Sequence, residues 1–408
     1  MNEVHIVGLG LEPGNLGTEA LNRIESARVL AGGRRLLEHF ADHPAERLEL
    51  AGDLTAWLDR VARAAATGPV VVLASGDPGF YGVAARVLDR LGPDHVVIHP
   101  NVTAVQAAMA RLKMPWQDVI CVSLHGRDDQ ALFQALMAGD NLAVYTDPVH
   151  SPDRIARSLL SRDQNGWLMH VLEDLGTTGE RMGRYELEQA AGLDFSPLNV
   201  TVLIRTRRPA PLSLGLAEDQ YVHEAGLITK AEVRCVALGR LDLRPEHTLW
   251  DLGAGCGSIG LEACLLVRRG RVVAVERRPE RAEHIRANRR RFGAAILEVV
   301  HGELPQALDG LPDPDRIFIG GGGPVLTDII RACAPRLPAE GRLVAAVVQL
   351  ASLDRAREAM NREGLDVDVV QVQVGRTAPL GGDQYIKAQN PVWLVTGLKA
   401  AEKDPEHE

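Results

Sequence analysis

The sequence has few cysteines, and they form no recognisable pattern. None of the five lies in a Cys-x-x-Cys pair, so neither a zinc knuckle nor a disulfide framework is indicated. His39 and His43 are four residues apart in a predicted helix, but no further ligand accompanies them. We therefore predict no metal site. The cysteines are Cys121, Cys235, Cys256, Cys264 and Cys333.

Long apolar runs and basic stripes are also missing. No apolar run approaches about 18 residues, so no segment is predicted to span a membrane. The formal net charge is -9 and no stripe of basic residues stands out, which argues against a nucleic-acid-binding protein. The chain begins directly with a predicted strand, residues 4–7, rather than with a signal peptide. A cytoplasmic protein with reduced thiols is expected.

The 408 residues exceed one ordinary domain, and strands alternate with helices along them. This alternation predicts an α/β fold with mostly parallel sheets. A charged, proline-containing stretch at 206–214 follows a predicted terminal strand and is typical of a linker. The predicted organisation is a first domain at 1–207, with subdomains at about 1–113 and 118–207, a second domain at 215–400, and a charged tail at 401–408.

The most informative stretch is Leu249–Gly260, in which a short apolar run leads through closely spaced glycines into a predicted helix. A strand, a glycine-rich turn and a helix form a nucleotide-binding unit, because glycines allow a ligand to approach the backbone closely. The next predicted strand ends in Glu276, whose carboxylate can accept hydrogen bonds from both hydroxyls of a ribose. The residues assigned to the turn are Asp251, Gly253, Gly255, Cys256 and Gly257.

Glycine spacing leaves two nucleotide cofactors open. Gly255-x-Gly257-x-x-Gly260 satisfies the dinucleotide pattern, and Glu276 follows at a suitable distance. An NAD-dependent oxidoreductase is therefore one hypothesis. Asp251, placed to receive the methionine ammonium group directly or through water, favours S-adenosylmethionine instead. Gly302 and Glu303, after the third strand, also favour it because they suit an adenine contact.

Two further glycine-rich turns follow predicted strands in the first half. Gly8 and Gly10 follow the first strand, and Ser75-Gly76-Asp77-Pro78-Gly79 follows the buried strand Val70–Ala74. Each motif is weak by itself, since a tight turn with an Asp cap explains the second one equally well. Their order and separation along the chain carry more information.

These turns, together with Pro100–Ala108, resemble the tetrapyrrole methylases of cobalamin biosynthesis. Three later segments are similar to the branch that methylates precorrin-6: Ser123–Arg127, Leu172–Gly176 and Ser196–Val200. The second half is similar to a decarboxylating precorrin methyltransferase domain. Its matching segments are Leu227–Arg234, Asp251–Gly257, Ile319–Gly322 and Asn390–Val392.

The resemblance implies a tetrapyrrole methylase domain followed by a Rossmann-like class I methyltransferase domain, each with its own S-adenosylmethionine site. It implies methylation of a precorrin at carbon 5 by the first domain. The second would methylate carbon 15 and remove the carboxyl group of the ring C acetate, giving precorrin-8X. The cofactor-binding residues implied outside the 249–260 turn are Gly8, Gly10, Ser75, Asp77, Gly79, Thr103, Thr229, Gly302, Glu303 and Gly320.

The implied substrate carries many carboxylates, so we expect Arg and Lys side chains beside the two substrate-binding clefts. The candidates are Lys230, Arg234, Arg376 and Lys387 in the second domain and Arg127 in the first. For each one taken singly, a solvated surface charge is the favoured alternative. His125 is a candidate proton carrier and Tyr385 a candidate cleft residue. Thr229 is predicted to cap a helix that runs to about residue 240. We also expect a homo-oligomer, with a tetramer through the second domain as the working hypothesis.

Overall fold

A computed structural model describes residues 2–12, 14, 16–126, 128–224 and 226–401. No helix within these ranges is long and apolar enough to cross a membrane. Beyond Ala401, the predicted charged tail lies outside the described residues.

The first ten elements build a five-stranded sheet with helices between its strands. They are β1 (Val4–Gly8), α1 (Thr18–Glu25), β2 (Val29–Gly32), α2 (Arg34–Glu38), β3 (Glu46–Glu49), α3 (Leu54–Ala65), β4 (Val70–Ala74), α4 (Ala84–Leu91), β5 (Val96–His99) and α5 (Ala104–Leu112). The strand order is β3-β2-β4-β1-β5, and all the pairs are parallel, as predicted. Every residue of β1 and β4 is buried, which explains their nearly continuous apolar sequences.

The next eight elements form a second, mixed sheet. They are β6 (Ile120–Ser123), α6 (Gln130–Ala138), β7 (Asn141–Tyr145), α7 (Pro152–Ser161), β8 (Trp167–Glu173), β9 (Arg181–Glu186), α8 (Leu187–Ala190) and β10 (Asn199–Arg205). The strand order is β6-β7-β10-β8-β9. β6 pairs with β7 in parallel, while β10 runs antiparallel to β7 and β9 antiparallel to β8.

The remaining elements form a seven-stranded sheet and a separate hairpin. They are α9 (Ala231–Leu241), β11 (Thr248–Leu252), α10 (Ser258–Ala263), β12 (Arg271–Glu276), α11 (Pro279–Phe292), β13 (Leu297–His301), β14 (Arg316–Ile319), α12 (Leu326–Cys333), β15 (Arg342–Val347), α13 (Leu350–Arg362), β16 (Leu365–Val372), β17 (Gly375–Leu380), β18 (Asp383–Ala388) and β19 (Val392–Lys399). The order β13-β12-β11-β14-β15-β19-β16 is parallel through β15, and β19 is antiparallel to both of its neighbours. The predicted seven-stranded sheet with an antiparallel end is confirmed.

The β17–β18 hairpin is an element that the sequence reading missed. Most of its residues are exposed, so it has no alternation of apolar and polar side chains to detect. Its turn, Gly381-Gly382, has positive φ at both residues, and such a pair between two short runs is the signal that would have found it.

The chain divides into two compact units that do not follow its order. The first unit comprises 1–127, 139–156 and 168–204, and the second comprises 128–138, 157–167 and 205–408. α6 and part of α7 therefore group with the seven-stranded sheet. The predicted domain boundary at 206–214 stays a prediction.

Candidate functional site

The second unit places its glycine turn where the strand order changes direction. β11 is flanked by β12 on one side and by β14 on the other, and all three are parallel. The connections leaving these strands run to opposite sides, which opens a crevice at the carboxyl end of the sheet. Gly253 follows β11, Glu276 ends β12 and Gly320 follows β14. The fold therefore brings these three predicted site residues to one edge.

The backbone of the turn requires glycine. Gly253, Gly255 and Gly257 have φ values of +69°, +60° and +79°. A Cβ atom on Gly257 would lie 2.9 Å from the side chain of Ile285, whereas one on Gly255 would meet nothing within 4 Å. Gly257 is thus a packing requirement, and Gly255 borders open space that a ligand can fill.

Glu276 is held in place by the turn that it faces. Its carboxylate is 4% exposed and accepts hydrogen bonds from the backbone N–H groups of Gly255 at 2.9 Å and Arg278 at 3.0 Å. Each carboxylate oxygen accepts one bond, so each retains a lone pair for a further donor. The carboxylate is fixed before any ligand binds, as a ribose acceptor requires.

Asp251 has a structural partner inside the turn. Its side chain is 1% exposed, and its carboxylate accepts a hydrogen bond from Gly260 N–H at 2.9 Å. Burial, and next the negative charge of Glu276, raise its pKa to about 7. This hydrogen bond ties the end of β11 to α10. The predicted contact of Asp251 with the ammonium group, directly or through water, stays a prediction.

The remaining predicted residues around the turn differ in exposure. Gly302 N–H donates to the backbone carbonyl of Glu276 at 3.1 Å, which joins the ends of β12 and β13, and Glu303 beside it is exposed. Cys256 is 4% exposed, its carbonyl accepts a hydrogen bond from Asn288, and burial raises the pKa of its thiol. A neutral thiol in this position lines the turn and is no nucleophile.

Arg234 is not a substrate-facing residue. Its side chain is completely buried and donates from Nε to Glu262, itself fully buried, at 2.8 Å. Its other nitrogens donate to the backbone carbonyls of Thr229 and Leu216. The prediction for Arg234 is wrong, because its partner lies 28 residues away in α10 and no local pattern reveals it.

The helix cap was also assigned one residue too early. α9 begins at Ala231 with Lys230 as its N-cap, and Thr229 precedes both. The Ala231 N–H donates instead to the carboxylate of Glu218 at 2.9 Å. Thr229 and Lys230 are half-buried, so both stay candidates for the cofactor and substrate contacts assigned to them.

Arg376 forms ion pairs with two carboxylates of the second unit. Its guanidinium contacts Glu218 at 2.7 Å and Glu232 at 2.7 Å, and it holds the pKa of Glu218 down at about 2. Its charge is therefore already compensated within the chain. Tyr385 and Lys387 lie on β18 of the exposed hairpin.

The first unit builds a second set of turns at one edge of its parallel sheet. Gly10 and Gly76 exchange backbone hydrogen bonds, at 3.2 and 3.0 Å, so the turns after β1 and β4 are joined. A Cβ atom on Gly8 would lie 2.5 Å from the carbonyl oxygen of Gly76, which explains the glycine there. Ser75, just before Gly76, is exposed.

Asp77 and Thr103 order the neighbouring turns. The Asp77 carboxylate accepts from Gly79 N–H at 2.8 Å and from Asn101 N–H at 3.2 Å. Thr103 caps α5 reciprocally with Gln106, each side chain accepting a hydrogen bond from the other residue's backbone. The predicted residues Gly8, Gly10, Asp77, Gly79 and Thr103 thus belong to one connected group of turns.

An open cavity of about 640 Å³ lies beside these turns. Asp77, Gly79 and Thr103 line it, together with residues that the sequence reading gave no role. Asn101 is one of them: its side-chain amide donates to the carbonyl of Gly8 at 2.9 Å and so links the β5 turn to β1. The Pro100–Ala108 resemblance contained it, but only the structure shows its partner. The rest of the lining is Phe80, Pro100, Val102, Val105, Gln106, Trp116 and Cys121.

His125 occupies an exposed turn after β6, and the next residue, Gly126, donates its N–H to Asp147 at 3.0 Å. Arg127 lies outside the described residues. The proton-carrier role of His125 and the substrate contact of Arg127 both stay predictions.

Comparison with known proteins identifies both halves of the chain. Residues 3–191 match the model of the tetrapyrrole (corrin/porphyrin) methylases, and residues 219–397 match that of the precorrin methyltransferase domain. A precorrin-6Y C(5,15)-methyltransferase [decarboxylating] from Sinorhizobium sp. is 35% identical over 405 residues, which cover 95% of this chain and 94% of that protein. The chain belongs to the precorrin-6Y C(5,15)-methyltransferase family.

Two shorter relatives each match about half of the chain. A probable cobalt-precorrin-6B C(15)-methyltransferase (decarboxylating) from Pyrobaculum calidifontis is 41% identical over 185 residues, 45% of this chain and 94% of that protein. A cobalt-precorrin-7 C(5)-methyltransferase from Salmonella typhimurium is 37% identical over 203 residues, 50% of this chain and 98% of that protein.

Membership of the precorrin-6Y C(5,15)-methyltransferase family decides between the cofactor hypotheses. The chain is an S-adenosylmethionine-dependent methyltransferase of cobalamin biosynthesis, and the NAD-dependent alternative is set aside. The predicted fold class, a tetrapyrrole methylase followed by a Rossmann-like methyltransferase, is confirmed.

Proposed function

We propose that the chain methylates a precorrin-6Y substrate at carbons 5 and 15 through two separate cofactor sites. The first domain, 1–207, would act on carbon 5. The second, 215–400, would act on carbon 15 and release the ring C acetate carboxyl group as carbon dioxide, so that the product is precorrin-8X. The observation that carries this proposal is the presence of two glycine-turn groups on two different parallel sheets, one in each compact unit.

The names of the shorter relatives support this division of labour. One is named for the C(5) methylation and the other for the decarboxylating C(15) methylation, and each matches about half of the chain. Two single-activity proteins thus correspond in extent to the two halves of a chain that combines both activities.

The residues of the second unit fit S-adenosylmethionine. Gly255 borders open space where any side chain would intrude, and Glu276 presents a fixed acceptor at the adjoining strand end. We assign the ribose hydroxyls to Glu276 and the adenine edge to Gly302 and Glu303. When bound, the cofactor supplies an electrophilic methyl group on a sulfonium.

In the first unit, the fit rests on the joined turns around Gly8, Gly10 and Asp77. Their backbone hydrogen bonds join the turns beside the cavity, and the Asp77 carboxylate in its lining adds negative charge that suits a cationic cofactor. We assign Ser75, Gly79 and Thr103 to the same site.

The protein's contribution to methyl transfer is mainly positioning. The tetrapyrrole carbons are enamine-like and already nucleophilic, so holding donor and acceptor in line removes much of the barrier. The conjugated macrocycle also serves as the electron sink for decarboxylation. Lys230 and Lys387 remain the candidates in the second unit for a substrate carboxylate, since Arg234 and Arg376 are paired internally.

A pair of glycine variants tests the two-site proposal. Gly8→Ala forces a Cβ against the Gly76 carbonyl and should disable the first site, whereas Gly255→Arg fills the open space of the second. Calorimetry should give about two equivalents of S-adenosylhomocysteine for the parent protein and about one for each variant. Gly17→Ala is the control, because a Cβ there meets nothing within 4 Å.

Product analysis then separates the activities. The Gly8→Ala protein should still decarboxylate and methylate carbon 15, and the Gly255→Arg protein should do neither. The proposal fails if one variant abolishes both binding events, or if Gly255→Arg leaves carbon dioxide release unchanged.

We further propose that the enzyme is a cytoplasmic homo-oligomer that assembles through the second unit. The β17–β18 hairpin supports this assembly, because Leu380 and Ile386 are 63% and 65% exposed on an isolated two-stranded sheet. Such a hairpin is marginally stable alone and gains stability when another surface covers it. A tetramer is the specific state expected.

Light scattering after size-exclusion chromatography tests this assembly. The parent should elute as a tetramer of the 44.2 kDa chain, and Ile386→Glu should lower the measured mass. Val149→Glu, at another exposed apolar residue, is the control and should leave the mass unchanged. A monomeric parent would refute the assembly without affecting the two-site proposal.

A further inference from the structure

The cavity of the first unit contains an aromatic side chain that neither the sequence motifs nor the turn geometry explains. Trp116 lies in the segment between α5 and β6, where its carbonyl accepts a hydrogen bond from Val119 N–H at 3.1 Å. Its side chain lines the cavity and is 52% exposed. Exposing a large indole to water is unfavourable unless a ligand or partner covers it.

The other described tryptophans are placed differently. Trp57, Trp167 and Trp250 are at most 2% exposed, and Trp393 is partly buried against the core of the seven-stranded sheet. Among the described tryptophans, Trp116 therefore has the ring that is most accessible to a ligand.

The lining around Trp116 is suited to a flat, uncharged ring. Phe80, Val102 and Val105 contribute apolar surface, and Val102 is itself 48% exposed. Burial raises the pKa of the nearby Cys121 thiol, which is therefore neutral. Flat heterocycles bind such surfaces by stacking or edge contacts with an indole.

The charge of the cavity lining distinguishes between the two ligands that carry a flat ring system, the tetrapyrrole substrate and S-adenosylmethionine. Among the residues that line the cavity, Asp77 carries the negative charge and no Lys or Arg is present. A carboxylate repels a tetrapyrrole polycarboxylate and attracts the sulfonium and ammonium groups of S-adenosylmethionine. The cavity volume of about 640 Å³ also suits a nucleoside cofactor better than a whole macrocycle with its acetate and propionate arms.

We propose that Trp116 is the contact for the adenine ring of S-adenosylmethionine in the first unit. The proposal rests on the two-site function above and names the residue that recognises the base there. The indole covers the heterocycle, while Asp77 at the same cavity favours the cationic end of the molecule.

Fluorescence quenching tests this contact directly. In the full-length Gly255→Arg protein, S-adenosylhomocysteine can bind only to the first unit. Saturating S-adenosylhomocysteine or adenosine should protect the exposed tryptophan fluorescence from quenching by acrylamide, and homocysteine should not. Trp116→Phe should lose most of the accessible emission from the start.

Binding constants provide the second measurement. In the same background, Trp116→Ala should raise the Kd for S-adenosylhomocysteine by about tenfold, and Trp116→Phe by less than about threefold. Val149→Ala, an exposed apolar residue outside the cavity lining, is the matched control and should leave the Kd unchanged.

The outcomes separate this proposal from the one on which it rests. Unchanged acrylamide quenching with S-adenosylhomocysteine bound, or an unchanged Kd in Trp116→Ala, would overturn the role of Trp116 alone. A raised KM for the precorrin with an unchanged KM for S-adenosylmethionine in Trp116→Ala would assign the indole to the macrocycle and overturn the adenine contact. Failure of S-adenosylhomocysteine to bind in the Gly255→Arg background would overturn both proposals.

Discussion

The buried carboxyl group of Asp251 makes the stability of the second unit depend on pH. Its pKa is about 7 in the folded protein and 3.8 in an ordinary solvated setting, a difference of about 3 pH units. Between these values the folded state keeps a proton that the unfolded chain has released. The unfolding free energy contributed by this group therefore falls as pH rises from about 4 to about 7.

The magnitude follows from the pKa difference. Each pH unit corresponds to about 1.4 kcal/mol, so ionised Asp251 destabilises the fold by about 4 kcal/mol at pH values above 7. Asp251→Asn preserves the shape and the acceptor for Gly260 N–H but cannot ionise. The variant should gain stability relative to the parent across this pH range, by up to about 4 kcal/mol.

Urea unfolding followed by fluorescence at a series of pH values between about 4 and about 8 measures this effect. Subtracting the parent from the variant at each pH cancels the other titrating groups, because they are common to both proteins. Asp383→Asn, at the exposed tip of the hairpin, is the control for losing one carboxylate. A variant-minus-parent difference that is constant with pH, or that grows as pH falls, would refute the reasoning.

Two other predictions concern ion pairs of the second unit. Arg234→Met leaves Glu262 buried without its cation and should lower the free energy of unfolding in urea by roughly 3–5 kcal/mol. Arg362→Met, which breaks an exposed pair with Glu358, is the control and should lower it by less than about 1 kcal/mol. Equal losses in the two variants would contradict the role of burial. Arg376→Met should remove the largest cause of the lowered Glu218 pKa, although the Ala231 N–H still donates to that carboxylate. The parent's stability advantage should therefore be present above pH 4.5 and decline as pH falls toward about 2, and an advantage that persists at the acid end would refute this.

The sequence alone determined the features that depend on neighbouring residues. The glycine turns after β1, β4 and β11 were readable because a strand, a glycine-rich segment and a helix follow one another directly along the chain. The parallel first sheet and the parallel part of the third sheet follow from the same local alternation, whereas the second sheet is mixed. Glu276 was found because it ends a strand beside the turn that it serves.

Only the tertiary structure decided which charged groups are available for chemistry. Asp251, Arg234 and Arg376 look equally suitable in the sequence, yet the fold buries the first against Gly260 and pairs the others with distant carboxylates. A hydrogen-bond partner far along the chain leaves no trace in local spacing. The exposure of Trp116 at a cavity was undetectable for the same reason, because solvent exposure is set by the packing of segments that are remote in sequence.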